Sequence, residues 1–368
     1  MRKPENETQD CEAIDWSGLR AAKDRAVKFL KAQLSDGNFG LTCMGSDGLP
    51  RFSHQKGHVF SGYFIARALG HDISETDRAL LVTRIMSEEY KGLWGYSPPA
   101  PYVSRPHVKF LVDADDTSFA IRTCRQLGLH KSSDRLLVFH RNRWSRWLVK
   151  FGLTTLLPKF VARGGFRTFA SRAHAGLAID ATPVNNLQLH SEVNLNVFLA
   201  LQGTALQNAI DDRLIFESQH EDGYWHSYFY PSRYYATWLA LELIRDQPAF
   251  EALRIRAHHF LLSSQSNDGT WGDLGDPYQT ALACCALAAC DETGTSITRA
   301  VSFFLKSQLN DGAWATDCKI WEFHATEDDV WQAFDSNRVI TTSLVLCVLR
   351  HLMETIPAEP NNLQVENE

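Results

Sequence analysis

Hydrophobic positions along this chain fall into two alternating kinds of run. One kind is amphipathic at helical spacing, as in Val27 to Gln33 or Val301 to Gln308. The other is apolar nearly all round, at roughly Val59 to Leu69, Thr117 to Leu127, Glu192 to Leu201, Tyr234 to Ile244, Tyr278 to Cys290 and Val339 to Leu352. A helix with one apolar stripe buries one face, whereas a helix apolar all round is enclosed by neighbours. Six of the first alternating with six of the second predict an all-α chain built as a single (α/α)6 barrel, with amphipathic helices outside and apolar ones inside. The barrel is expected over residues 15–356, between polar tails at 1–14 and 357–368. The alternative, an open helical solenoid, would need more units or polar end caps.

Between the two kinds of run a phrase recurs. Gln33, Asp36 and Gly37 are matched by Gln219, Asp222 and Gly223, by Gln265, Asp268 and Gly269, and by Gln308, Asp311 and Gly312, with Phe39, Trp225, Trp271 and Trp314 two residues after the glycine. Weaker copies stand at Gly92 to Gly95 and Gly164 to Phe166, which makes the phrase sixfold. Asp-Gly supplies a turn at positive φ, and the ring that follows is expected to pin the turn to the neighbouring unit. Trp225, Trp271 and Trp314 are therefore read as structural. Helix punctuation agrees: Asp116 precedes Thr117, Asp276 and Pro277 open the fifth inner run, and Gly128 follows the second.

Composition changes this picture in one place. Hydrophobic residues at 44% and charged residues at 22% suit a large globular core, and a net charge of −6 argues against a general nucleic-acid partner. Residues 135–172, however, hold nine Lys or Arg and no Asp or Glu, which leaves the rest of the chain at −15. Within that segment, residues 139–151 place Trp144, Trp147, Leu148 and Phe151 on one helical stripe with Arg141, Arg143 and Arg146 around it. Such a stretch either lies in a lipid interface as a peripheral membrane contact or is an outer helix whose basic face is solvated. The polar N-terminus lacks the apolar core of a signal peptide and no run reaches the length of a membrane span, so a cytoplasmic protein is expected. Eight cysteines in 368 residues fit reduced thiols better than a disulfide framework.

The densest chemistry lies at Asp113, Asp115 and Asp116. Three carboxylates in four residues do not all ionise cheaply once water is kept out, so at least one should hold a proton near neutral pH. The inner helices run parallel, which puts their N-termini at one end of the barrel. Asp113 to Asp116 begin the second inner helix and Glu192, Asn194 and Asn196 begin the third, so acids and amides should meet across a cavity mouth. A helix N-terminus favours the ionised carboxylate, and crowding with burial is expected to outweigh that for one proton of the coupled cluster. Read without function, the aspartates would be an overbuilt helix cap and Asn196 a helix cross-link.

In these motifs the chain resembles the class II terpene cyclases of squalene-hopene and bicyclic diterpene type, which carry an Asp-x-Asp-Asp-Thr motif and Gln-x-x-x-Gly-x-Trp repeats on α/α barrels. The resemblance implies that Asp115 is the acid that protonates a terminal alkene, with Asp113 and Asp116 as supporting carboxylates. Asn196 stands where the squalene-hopene cyclases place an acid-orienting histidine; an amide can accept the acid's hydrogen bond but cannot titrate. Matching ring positions make Tyr96, Phe169, Phe229 and Tyr235 candidates to stabilise carbocations, and Trp331 and Phe334 follow by a looser correspondence. With one barrel, the chain looks most like the stand-alone cyclases that act on prenylated aromatic acids in meroterpenoid pathways.

The implied partner is a hydrophobic prenylated small molecule, and no organic cofactor is implied. Glu327, Asp328 and Asp329 would bind Mg2+ only if the substrate carried a diphosphate, a solvated loop being the plainer reading. Arg105, His107 and Lys109 could contact an anionic head group. Two rivals stay open: a zinc prenyltransferase-like protein, for which Cys284 and His324 are present without the required local phrases, and a non-catalytic barrel that binds lipid or protein. His258 and His259, on an outer helix without ligand partners at metal spacing, are read as surface.

Overall fold

The computed structural model describes residues 14–53, 58–95, 112–154, 156, 158–169, 189–272, 275–292, 294–324 and 330–356. Its helices are α1 (Trp16–Ser35), α2 (Val59–Leu69), α3 (Glu75–Ser87), α4 (Ala114–Gln126), α5 (Arg143–Lys150), α6 (Ser191–Leu201), α7 (Asp212–Glu217), α8 (Arg233–Ile244), α9 (Glu251–Ser263), α10 (Pro277–Ala288), α11 (Thr295–Ser307) and α12 (Val339–Thr355). The even-numbered helices pack in a closed ring, each against the next, with α12 returning to α2. They are buried on nearly every side, as their all-round apolar sequences require. The odd-numbered helices lie outside: α1 packs on α12, α3 on α2, and α5 reaches α4 and α6 through a 3-10 helix at Ser133–Val138.

The turn phrase acts by a repeated set of hydrogen bonds. The indole of Trp225 donates to the Ile215 carbonyl, that of Trp271 to Leu261 and that of Trp314 to Phe304, each pinning the turn to its own outer helix. The backbone N–H of the same tryptophans donates to Thr237, Thr280 and Thr342 on the inner helix that follows. Trp94 repeats both contacts, with Ile85 and Thr117. The ring thus joins an outer helix to the next inner one, and the tie to the neighbouring unit falls to the glutamine. Gln219, Gln265 and Gln308 donate to Leu253 of α9, Ser296 of α11 and Ala22 of α1, and the last of these joins the two ends of the chain. Gly312 has φ +91° and a Cβ there would come within 2.6 Å of the Arg25 carbonyl, so no side chain fits the closing turn.

Two features depart from the sequence reading. The second inner helix starts at Ala114, three residues early, because Asp113 rather than Asp116 is the N-cap: its carboxylate accepts from the Asp116 N–H at 2.7 Å. The chain also carries strands, β1 (Thr42–Gly45), β2 (Pro50–Ser53), β3 (Lys319–His324) and β4 (Val330–Phe334), paired antiparallel in the order β2-β1-β4-β3. Successive strand residues face opposite sides, so Trp321 and Phe323 share one face and Trp331, paired with Phe323, stands beside them. The β3 backbone is tied to the loop before α8 by the Glu322 N–H donating to the Phe229 carbonyl at 2.7 Å.

Candidate active site

The N-termini of the inner helices converge under this sheet on a pocket with about 660 Å³ of free space, counted out to its open mouth. Asp113, Asp115, Asp116 and Thr168 supply its polar wall. The rest is aromatic: Phe60 from α2, Phe169, Phe229 and Tyr230 from the loops, and Trp321, Phe323 and Trp331 from the sheet. The rings touch, with centroids 6.3 Å apart for Phe169 and Phe323, 6.1 Å for Phe229 and Phe323, and 5.9 Å for Phe323 and Trp331.

Asp115 is 8% exposed and held at both oxygens. The Asn196 amide donates to Oδ1 at 2.8 Å and the Tyr230 hydroxyl donates to Oδ2 at 2.5 Å. The Asn196 carbonyl oxygen is taken by the Arg122 guanidinium at 2.6 Å, which leaves the amide only N–H to offer. Asn196 therefore donates to the acid and does not accept from it, the reverse of the role its residue type alone made available. Burial pushes the Asp115 carboxyl up to about 6, against the lowering pull of Tyr230, Asn196 and Arg122.

Its neighbour Asp116 is more firmly protonated. Asp116 is raised well above the usual carboxylate range, by burial first and then by Asp113, Asp115 and Glu88. Its Oδ2 has no hydrogen-bond partner among the described residues and lies 3.7 Å from His58 Nε2. The expected retained proton is thus held more tightly on Asp116 than on Asp115. A tightly held proton is a poor one to give away. Asp115, with the lower pKa and both oxygens held, is the stronger acid of the two.

The other residues at this end have distinct partners. Asn194 clasps the backbone of Phe166, accepting from its N–H at 2.7 Å and donating to its carbonyl at 3.0 Å. Glu192 accepts the N–H groups of Tyr228 and Phe229 at 3.0 and 2.9 Å, and burial raises it to about 7. Of the three residues read at the start of α6, only Asn196 reaches the aspartates, while the other two shape the loops that carry the rings.

Phe169, Phe229 and Trp331 line the pocket, and Phe169 also pairs with Asp113 by backbone bridging. Tyr235 stands one layer back, stacked on Tyr230 at 3.9 Å and fully buried. Phe334 pairs with Thr42 and Lys319 in the sheet and is not among the lining residues. Tyr96, Arg105, His107, Lys109, Glu327, Asp328 and Asp329 lie outside the described residues. Cys284 is fully buried inside the ring, and no three His, Cys, Asp or Glu side chains among the described residues group as metal ligands. His258 pairs with Glu292 at 3.0 Å on the outside.

Sequence reasoning did not find Tyr230, Arg122, Phe60, Trp321 or Phe323. Two signals were present: Trp321 and Phe323 alternate at strand spacing, and Arg122 is a cation within the otherwise uncharged stretch Thr117 to Cys124. Tyr230 offered none beyond its adjacency to Phe229.

Comparison with known proteins bears on this geometry. Residues 197–326 match the squalene-hopene cyclase C-terminal domain. The type II terpene cyclase MstE from Scytonema, in complex with geranylgeranyl dihydroxybenzoate, superposes with a TM-score of 0.65 at 15% identity over 92% of this chain and 99% of that one. The fold is that of the type II terpene cyclases. ent-Copalyl diphosphate synthase from Streptomyces platensis aligns over 80% of this chain and 50% of its own, at 19% identity and a TM-score of 0.54. Candida albicans protein geranylgeranyltransferase-I, complexed with GGPP, aligns over 91% and 99% at 12% identity and a TM-score of 0.53. No curated protein matches the chain by sequence.

Proposed function

We propose that the protein is a class II terpene cyclase that isomerises a linear prenyl chain, carried on an aromatic acid head group, into fused rings. The observation that supports this most is a partly neutral carboxyl, Asp115, on the wall of a ring-lined pocket with its two oxygens held by Asn196 and Tyr230. In the first step the π electrons of the distal alkene take the Asp115 proton. A C–H bond forms, the O–H bond breaks, and a tertiary cation is left facing the carboxylate. The Asn196 and Tyr230 donors stabilise that carboxylate as it forms, in the manner of preorganised dipoles.

Successive alkenes then close rings onto the cation, and loss of a proton to a base ends the cascade with no net change in composition or oxidation state. Phe169, Phe229, Trp321, Phe323 and Trp331 present π faces to the passing charge, each worth about 0.5 to 2 kcal/mol when desolvated. They also exclude the water that would trap the cation. The cyclisation itself calls for no organic cofactor. Mg2+ would enter only with a diphosphate head group.

The head group rests on MstE, whose structures hold geranylgeranyl dihydroxybenzoate and merosterolic acid A. Incubating the protein with geranylgeranyl dihydroxybenzoate and with farnesyl and geranylgeranyl diphosphates, followed by mass spectrometry and NMR, tests the reading. A cyclic product of substrate mass that is absent with Asp115→Asn is expected. Unaltered substrates, or unchanged turnover by Asp115→Asn, would overturn it.

A further inference from the structure

We propose that α5 and the segment after it form a docking surface for an anionic membrane. Of the stripe seen in the sequence, Leu148 is buried and the three rings are not covered. Trp144 is 71% exposed, Leu156 73% and Phe160 61%, and Trp147 and Phe151 are exposed beside them. The rings form one continuous face, with Trp144 and Trp147 centroids 6.1 Å apart and Trp147 and Phe151 4.4 Å apart. Ser145 and Leu148 are buried, so α5 is seated along that side, with Leu148 drawn from the stripe into the core, and presents Trp144, Trp147 and Phe151 outward.

Arg141, Arg143, Lys150 and Lys159 are exposed around these rings. Of the acids close by, Asp134 accepts from Thr154, Asp212 pairs with Arg163 and Asp211 with Arg213, while Glu217 shares a groove with Arg141. Charge complementarity decides the occupant. A chain of net charge −6 is repelled as a whole from an anionic surface, and this acid-free segment with its nine cations is attracted, which would orient the molecule on it. Tryptophans ringed by arginine and lysine suit a lipid headgroup layer, where the rings sit below the phosphates and the cations among them. A nucleic acid would use the cations and leave Leu156, Phe151 and Phe160 in water.

The same segment runs on to the cavity. The Arg141 N–H donates to the Gly165 carbonyl at 2.8 Å, His140 pairs with Phe166, and three residues later Phe169 lines the pocket. The docking face therefore abuts the segment from Gly165 to Phe169, whose last ring forms part of the aromatic wall.

The test is sedimentation of the full chain with phosphatidylcholine vesicles and with phosphatidylcholine mixed with phosphatidylglycerol, read also by a blue shift of tryptophan emission. It needs no substrate, so its outcome is separate from that of the cyclase assay. Binding to the anionic vesicles that weakens with salt is expected. Arg143→Glu with Lys150→Glu and Lys159→Glu should lower it by about 100-fold, at about fivefold or more per cation. Trp144→Ser with Trp147→Ser should abolish the blue shift on vesicle addition while leaving the melting temperature unchanged. Equal binding to neutral and anionic vesicles, full binding by either variant, or equal binding to single-stranded DNA that also survives Trp144→Ser with Trp147→Ser would overturn the proposal.

Discussion

Buried carboxyls at the two ends of the barrel are treated in opposite ways. At the N-terminal end of the inner helices, Asp115 is raised to about 6 and Glu192 to about 7 by burial, and both are met by neutral donors. Toward the C-terminal end, burial would raise Glu242 as well, but the Arg67 and Arg122 guanidiniums outweigh it and hold the carboxyl below its usual range. Each donates to Glu242 Oε1 at 3.0 Å. Arg122 joins the two ends, since its other nitrogen holds Asn196 and Asn196 holds Asp115. Charge is kept where the fold needs a cross-brace and withheld where a proton has to be given away.

This contrast breaks most sharply at Asp115. Asp115→Asn should lower turnover by at least about 1,000-fold, the upper part of what a general acid supplies. It should leave the fold intact, because an amide keeps the shape and removes a buried charge. The wild-type acid also leaves a signature in stability. Its folded pKa lies above the unfolded value, so its contribution is complete below about pH 4 and is lost as pH rises through about 6, a change of about 3 kcal/mol. Melting temperature should therefore fall between about pH 4 and 6, and the slope should flatten in Asp115→Asn. An unchanged slope would mean that the carboxyl is not buried as described.

At the other end the effect should appear in stability first. Glu242→Gln leaves two guanidiniums without their counter-charge, a loss of about 2 kcal/mol after discounting the quarter of the side chain that is exposed. Denaturant unfolding measures it, and a neutral result would remove the cross-brace from the account. Arg122→Met tests the link between the ends. Without the guanidinium the Asn196 amide is free to turn, and the charge that lowers the Asp115 pKa is gone. Turnover should drop about tenfold and the alkaline limb of its pH profile should move upward, whereas a purely structural Arg122 would leave that limb in place. The smallest effect belongs to the frame: Gln265→Ala removes donors to Gly269 and Ser296 and should cost about 1 to 2 kcal/mol with no change in the pH profile.

The helices were largely legible. Val59–Leu69 matches the expected span, the last inner helix starts at Val339 as expected, and the other four start one to three residues early, because all-round burial leaves a continuous apolar run. The acid cluster was legible for a similar reason, since crowding is local in the chain. The sheet was missed because its two hairpins lie nearly 300 residues apart and each strand is too short to show a clear period.

The sequence by itself determined the alternation of helices, the turns that need glycine, the three crowded aspartates and the excess of positive charge in residues 135–172. All of these follow from residues close together in the chain. Only the tertiary structure decided which of Asp115 and Asp116 keeps its proton more tightly, that Asn196 donates because Arg122 takes its carbonyl, and that Tyr230 and the sheet complete the wall. Solvation and hydrogen-bond direction are set by groups that the chain brings together from afar, and the pKa of a buried carboxyl is the sum of those encounters.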